Sequence, residues 1–172
     1  AKTHVTQCLY ECWAAQACLF HDFGIRKHLL TSKLFGVYPA DRIAADSPIA
    51  KGFGAGGLLK MPQSRHTSIV LDEDHLPEGL TVDASAEATG PIILSASGLH
   101  STYITGHPEY AEGTLAREYY RDLYEQMPIR LPKNYFIDQD SGTVDYSWKN
   151  SSIQIYDNWS KIISNKKVGL SI

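Results

Sequence analysis

Two short segments carry residue types that together can form and break an acyl bond. The first is Glu11-Cys12-Trp13-Ala14-Ala15-Gln16, which places a thiol between a strand-like run and a helix-like run. The second is Gly106-His107-Pro108-Glu109-Tyr110, an imidazole with a carboxylate just beyond the proline. A thiolate attacks, an imidazole takes and returns a proton, and a carboxylate orients the imidazole. The three types in these contexts point to covalent acyl chemistry. Cys8 and Cys18 read instead as inert, core-filling cysteines. His21, His28, His66, His75 and His100 lack the spacing of metal ligands and read as solvated or capping residues. No metal is expected.

The elements that must position these groups can be read from pattern. Residues 4–10 alternate as a strand, and residues 13–23 read as a helix that stops at Gly24. A strand running straight into a helix through a cysteine is a nucleophile elbow, with the thiol at the carboxyl end of the strand. The helix N-terminus then favours the thiolate, and the Trp13 backbone N–H can face a developing oxyanion. Further strands are predicted over 34–38, 68–71, 81–84, 92–96 and 102–105. Turns are predicted at Gly90-Pro91 and Ser97-Gly98. Residues 46–60, with Gly52, Gly54, Gly56 and Gly57, read as a connecting loop without a phosphate-binding pattern. A helix over 114–126 should bury Leu115, Tyr119 and Leu123, and Arg117 and Arg121 share a neighbouring face. Residues 132–142 read as loop, and 153–163 as a last helix with Trp159 turned inward.

With 172 residues and 43% hydrophobic content, the chain forms one domain, or a large part of one. A formal charge of −3 leaves no electrostatic footprint for nucleic acid or an anionic membrane. No apolar run approaches the ~18 residues of a membrane span. The first residues, Ala1-Lys2-Thr3-His4, do not read as a secretory signal. Three cysteines without a Cys-x-x-Cys pair argue against a disulfide framework or zinc cluster. The expectation is a cytoplasmic protein with small-molecule partners.

Cys12-Trp13-Ala14-Ala15-Gln16-Ala17, with His21 and Gly24-Ile25 behind it, resembles the nucleophile helix of the homoserine O-acyltransferases of methionine biosynthesis. The resemblance continues in order. It runs through Ser32-Lys33-Leu34-Phe35-Gly36-Val37-Tyr38, Pro62-Gln63-Ser64-Arg65-His66-Thr67 and Thr105-Gly106-His107-Pro108-Glu109-Tyr110. It then takes in the run from Leu115 to Asp122, Asn134-Tyr135-Phe136 and Asn158-Trp159. It implies an α/β fold similar to class I glutamine amidotransferases, a three-layer, flavodoxin-like sheet with helices on both faces. Cys12 would form the acyl-thioester, His107 would be the base and Glu109 its orienting carboxylate. Lys33, Ser64 and Arg121 fall at substrate-contacting positions. The co-substrate would be acetyl-CoA or succinyl-CoA, with no further cofactor, and the acceptor the hydroxyl of homoserine or serine. Family members often dimerise, so a homodimer is admitted. Such a protein has more sheet before its nucleophile, so residues 1–172 read as the C-terminal part of a larger acyltransferase domain.

The chain departs from the family pattern at several points. Glu11 stands where an apolar residue is usual, and an unpaired carboxylate there would disfavour the thiolate. Pro39-Ala40 replaces an acidic-histidine pair. Ala111 replaces an aspartate, which should weaken the next helix start. Two other readings stay open. One is a glutamine amidotransferase-type hydrolase, suggested by the Cys12/Gln16 spacing although Glu11 and Ala14 replace the usual glycines. The other is an inactive, truncated binding module.

Overall fold

A computed structural model describes residues 4–54 and 58–169. Ala1-Lys2-Thr3 and, in the glycine-rich loop, Gly56 and Gly57 lie outside the described residues. The central sheet has the order β1 (Cys8–Glu11), β7 (Ser101–Ile104), β6 (Gly90–Ala96), β5 (Thr81–Ala86) and β3 (Arg42–Ile43). β1 and β7 run parallel, and the remaining neighbours pair antiparallel.

Strand alternation sends successive side chains to opposite faces, and each face is covered by a helix. On one face Tyr10, Leu94 and Tyr103 pack with Ala15 and Leu19 of α1 (Trp13–Phe23). On the other, Leu9, Ile93 and Ile104 pack with Ile155, Trp159 and Ile162 of α3 (Lys149–Gly169). A register shift between Val82 and Ala84 lets these two residues of β5 serve opposite faces despite their even spacing. The expected α/β sheet with helices on both faces is therefore present. Among the described residues no helix is long and apolar enough to cross a membrane.

A second layer projects the site residues. β2 (Lys27–Pro39) and β4 (Lys60–Ile69) form a long antiparallel ribbon whose register shifts between Leu29 and Leu34. α2 (Thr114–Tyr124) packs against it in a cluster of Phe35, Val37, Leu115, Tyr119, Tyr135 and Trp148. A small hairpin of β8 (Phe136–Asp138) and β9 (Thr143–Val144) adjoins this cluster.

Several expectations need correction. The first strand begins at Cys8, with His4 in a 3₁₀ turn rather than the strand. β2 and β4 are far longer than the patterns at 34–38 and 68–71 suggested. β6 starts at Gly90, so the β5–β6 turn lies just before the predicted Gly90-Pro91. Leu123 is 52% exposed, because the aromatic cluster reaches only the first turns of α2. Residues 132–142 include β8, and the last helix starts at Lys149. The weak start expected for α2 is real, since Gly113 offers no side-chain cap. It is offset by Tyr135, whose hydroxyl accepts the Ala116 N–H at 3.2 Å and donates to the Glu112 carbonyl at 2.6 Å. Asn158 ties α3 to the connection between β3 and β4 by donating to the carbonyls of Ile49 and Lys51.

Candidate active site

Cys12 belongs to both a strand and a helix. Its N–H donates to the Ile104 carbonyl at 2.8 Å, extending the β1–β7 ladder, and its own carbonyl accepts the Gln16 N–H. Joining the two directions at one residue forces φ to 48° and ψ to −114°. That backbone is strained for any residue with a Cβ, at a cost of about 1–3 kcal/mol. The elbow places the thiol at the carboxyl ends of the two parallel strands, on a cleft of about 600 Å³. Trp13 opens α1, so its N–H has no intrahelical acceptor and points out of the helix start.

β7 delivers the imidazole. Gly106 makes its approach possible: a Cβ there would lie 2.3 Å from Met61 Cγ and 2.6 Å from the Pro62 carbonyl oxygen. The same carbonyl accepts the His107 N–H at 2.9 Å. His107 Nδ1 donates to Glu109 Oε1 at 2.7 Å, and the Tyr110 ring stacks on the imidazole at 4.1 Å. Burial opposes a charge on His107, but hydrogen bonds with Cys12 and Glu109 more than offset it. The result is a pKa raised from 6.5 to about 9. The structure thus brings Cys12, His107 and Glu109 together.

Glu11, the departure beside Cys12, is paired. Its carboxylate accepts a hydrogen bond from the Tyr156 hydroxyl at 2.8 Å. Burial, helped by the nearby Glu109, raises its pKa despite that bond and moves it toward the uncharged form.

Lys33, Ser64 and Arg121 all line the cleft with Cys12 and His107. Lys33 Nζ lies 3.0 Å from Asp122 Oδ2 and 3.3 Å from Glu118 Oε2, above the Phe35 ring. Ser64 and Tyr110 both donate their hydroxyls to Glu118. Burial works against charge on Glu118, yet these donors and Lys33 outweigh it and hold the carboxyl below its usual range. Arg121 pairs with the adjacent Asp122, not with Glu118 or Glu125, and stays 57% exposed at the cleft rim.

Sequence reasoning missed Glu118, Asp122 and Arg65. The spacing of Glu118 and Asp122 on one helix face was the available signal, but it matches an ordinary solvated face equally well. Arg65 is 5% exposed and donates to Gln63 Oε1 and to the carbonyls of Thr67 and Thr89. Burial lowers its pKa to about 10, and interaction with Cys12 works the other way. His66, read as a solvated residue, is exposed but lines the cleft. Gln16 is buried and exchanges hydrogen bonds with Thr67, so its spacing from Cys12 serves packing.

Comparison with known proteins places the chain among relatives. The chain is 36% identical over 160 residues to a homoserine O-acetyltransferase of Lachnoclostridium phytofermentans, covering 92% of this chain and 52% of the relative. It is 37% identical to a homoserine O-acetyltransferase of Bacillus licheniformis at the same coverage. The chain spans about half the length of the curated relatives it matches. A glutamine amidotransferase structure from Thermotoga maritima superposes with a TM-score of 0.62 at 14% identity, over 90% of this chain and 61% of that one. That likeness establishes the class I amidotransferase-like fold. The sequence model of the homoserine O-succinyltransferase family matches residues 1–168, and with these identities the chain belongs to that family.

Proposed function

We propose that this chain carries the acyl-transfer site of a homoserine O-acyltransferase working through a cysteine thioester. The observation that supports it most is the Cys12–His107–Glu109 arrangement at an elbow, opening on a cleft that holds charges of both signs. Cys12 Sγ attacks the carbonyl carbon of acetyl-CoA or succinyl-CoA, and the Trp13 N–H donates to the resulting oxyanion. The carbon–sulfur bond to coenzyme A breaks, and the departing thiolate takes a proton from His107. The acceptor hydroxyl then gives its proton to His107 as its oxygen attacks the thioester, and Cys12 leaves as thiolate.

Acylation removes the thiolate that helps to hold the proton on His107. The imidazole therefore becomes a base at the step that needs one. Homoserine, or serine, is a zwitterion: Arg121 presents a guanidinium to its carboxylate, and Glu118 with Asp122 faces its ammonium. A cytoplasmic enzyme of methionine biosynthesis, using acyl-CoA as its only co-substrate, is the setting this reading implies.

The test is intact-protein mass spectrometry after mixing the chain separately with acetyl-CoA and succinyl-CoA. An adduct on Cys12 that homoserine or serine discharges supports the reading. Transfer at the normal rate by a Cys12→Ala protein overturns the thioester mechanism. Glutamine hydrolysis without acyl transfer would favour the amidotransferase reading.

A further inference from the structure

A second cavity lies at the other end of the central sheet from Cys12. It holds about 410 Å³, reaches the amino ends of the parallel strands β1 and β7 at Gln7 and Ser101, and shares no lining residue with the cleft. Its floor is a row of hydroxyls across three strands, in which Thr81 lies opposite Ser95 and Ser95 opposite Thr102. The connection after β3 forms a wall and is pinned in place. The Ala44 N–H donates to the Asp83 carbonyl at 2.8 Å, the Ser47 N–H to the Ala44 carbonyl at 3.2 Å, and the Ala50 N–H to Ser47 Oγ at 3.1 Å. Asp83 lines this cavity and is 3% exposed, yet its Oδ2 has no hydrogen-bond partner. Burial raises its pKa, and the hydroxyls of Ser47 and Ser95 offset only part of that rise. A buried oxygen left without a donor is destabilising, so this position gains from any group that donates to it.

The lining sets the sign and the kind of ligand. Among the described residues, Asp83 and the exposed Asp46 are the only charged ones in it, so the cavity favours a cation. Also among the described residues, no three His, Cys, Asp or Glu side chains are grouped to hold a metal ion, which points to an organic cation. Asp83 Oδ2 calls for an N–H donor, and a primary ammonium carries three. The Thr81 hydroxyl already donates to the Ser95 carbonyl at 3.2 Å, so toward a ligand it is an acceptor. Ile49 and Ile162 add apolar wall suited to a short carbon chain. We infer that this cavity binds a small primary alkylammonium, its charged head on Asp83 and its carbon chain against Ile49 and Ile162. The site is separate from the cleft and does not depend on the acyl-transfer reading.

The experiment titrates n-butylammonium into the chain near neutral pH and follows the backbone amide signals of Asp83, Ser95 and Thr102 by nuclear magnetic resonance. Two controls separate the contributions: n-pentanol has the chain without the charge, and butyltrimethylammonium has the charge without an N–H. The expected result is saturable binding of n-butylammonium, weaker by about tenfold or more for either control and for the isosteric Asp83→Asn variant. Binding of butyltrimethylammonium as tight as that of n-butylammonium, or undiminished binding by Asp83→Asn, would mean general attraction to a negative surface and overturns the assignment. So does the absence of saturable shifts in the parent chain. A second measurement needs no variant. Saturating n-butylammonium should lower the titration midpoint of the Asp83 carboxyl carbon, because a bound cation favours the ionised form. A midpoint that does not move refutes the site. Nα-acetyl-lysine methylamide carries the same butylammonium arm on a peptide backbone. Its exclusion confines the site to free amines, and its binding extends the site to lysine side chains.

Discussion

Replacing Cys12 by alanine should change how a different residue titrates. Burial alone would push His107 below its ordinary value of 6.5, yet bonding to Cys12 and Glu109 lifts it to about 9. That rise corresponds to roughly 3 kcal/mol in favour of the imidazolium. Cys12→Ala removes one of the two raising partners, so His107 should titrate well below 9. Adding Glu109→Gln leaves burial unopposed and should carry it below 6.5. Nuclear magnetic resonance of the imidazole carbon protons reads this directly, with His107→Gln assigning the signal.

The same shift predicts a stability window. The folded pKa lies above the unfolded one, so the stabilisation is fully present below pH 6.5 and is lost as the pH rises through about 9. The stability gap between the parent chain and His107→Gln should shrink by up to roughly 3 kcal/mol between about pH 6 and about pH 10. A His107 signal that titrates at or below 6.5 in the parent chain, or that ignores Cys12→Ala, refutes the reasoning.

Two further substitutions probe the supports of the site. Gly106→Ala places a methyl group against Met61 and the Pro62 carbonyl, and urea unfolding should show a loss of about 1–3 kcal/mol. A stability within error of the parent would mean that the β7–β4 approach is looser than described. Lys33→Met leaves Glu118 and Asp122 without their shared cation, at a cost of roughly 2 kcal/mol near neutral pH. Both carboxyls are held low in the folded chain, so that cost should fade as the pH drops through the carboxylate range. A penalty that stays constant in acid would assign the loss to packing against Phe35 instead.

What could be read beforehand follows from which forces leave a pattern. α1 was legible to the residue because its end is marked by Gly24, which adopts φ 69° and donates its N–H to the Phe20 carbonyl. The long ribbon was not. Most of β2 before Leu34 is exposed and shows no alternation, and only 34–38 carries a core signature. β4 hides a buried polar interior, in which Arg65 donates to Gln63 Oε1 and to the Thr67 and Thr89 carbonyls, where a strand would ordinarily show apolar residues. At the site, Cys12, His107 and Glu109 announce themselves by residue type and local context. Glu118 and Asp122 do not, because a helical carboxylate looks the same from sequence whether it faces water or grips Lys33. Glu11 was an anomaly in sequence and became intelligible only with Tyr156, which α3 brings back from the far end of the chain.

The backbone at Cys12 also bears on how such a site survives. With φ at 48° and ψ at −114°, the position would be more comfortable for glycine, which carries no Cβ to strain. Cys12→Gly removes the thiol and at the same time relaxes the elbow. Loss of the thiol at this residue therefore lies downhill in folding energy. Any search that rewards robustness alone, whether thermal selection in the laboratory or neutral drift in a duplicated copy, would tend to erase the thiol first. If the acyl-transfer proposal holds, demand for that reaction is what keeps a cysteine there.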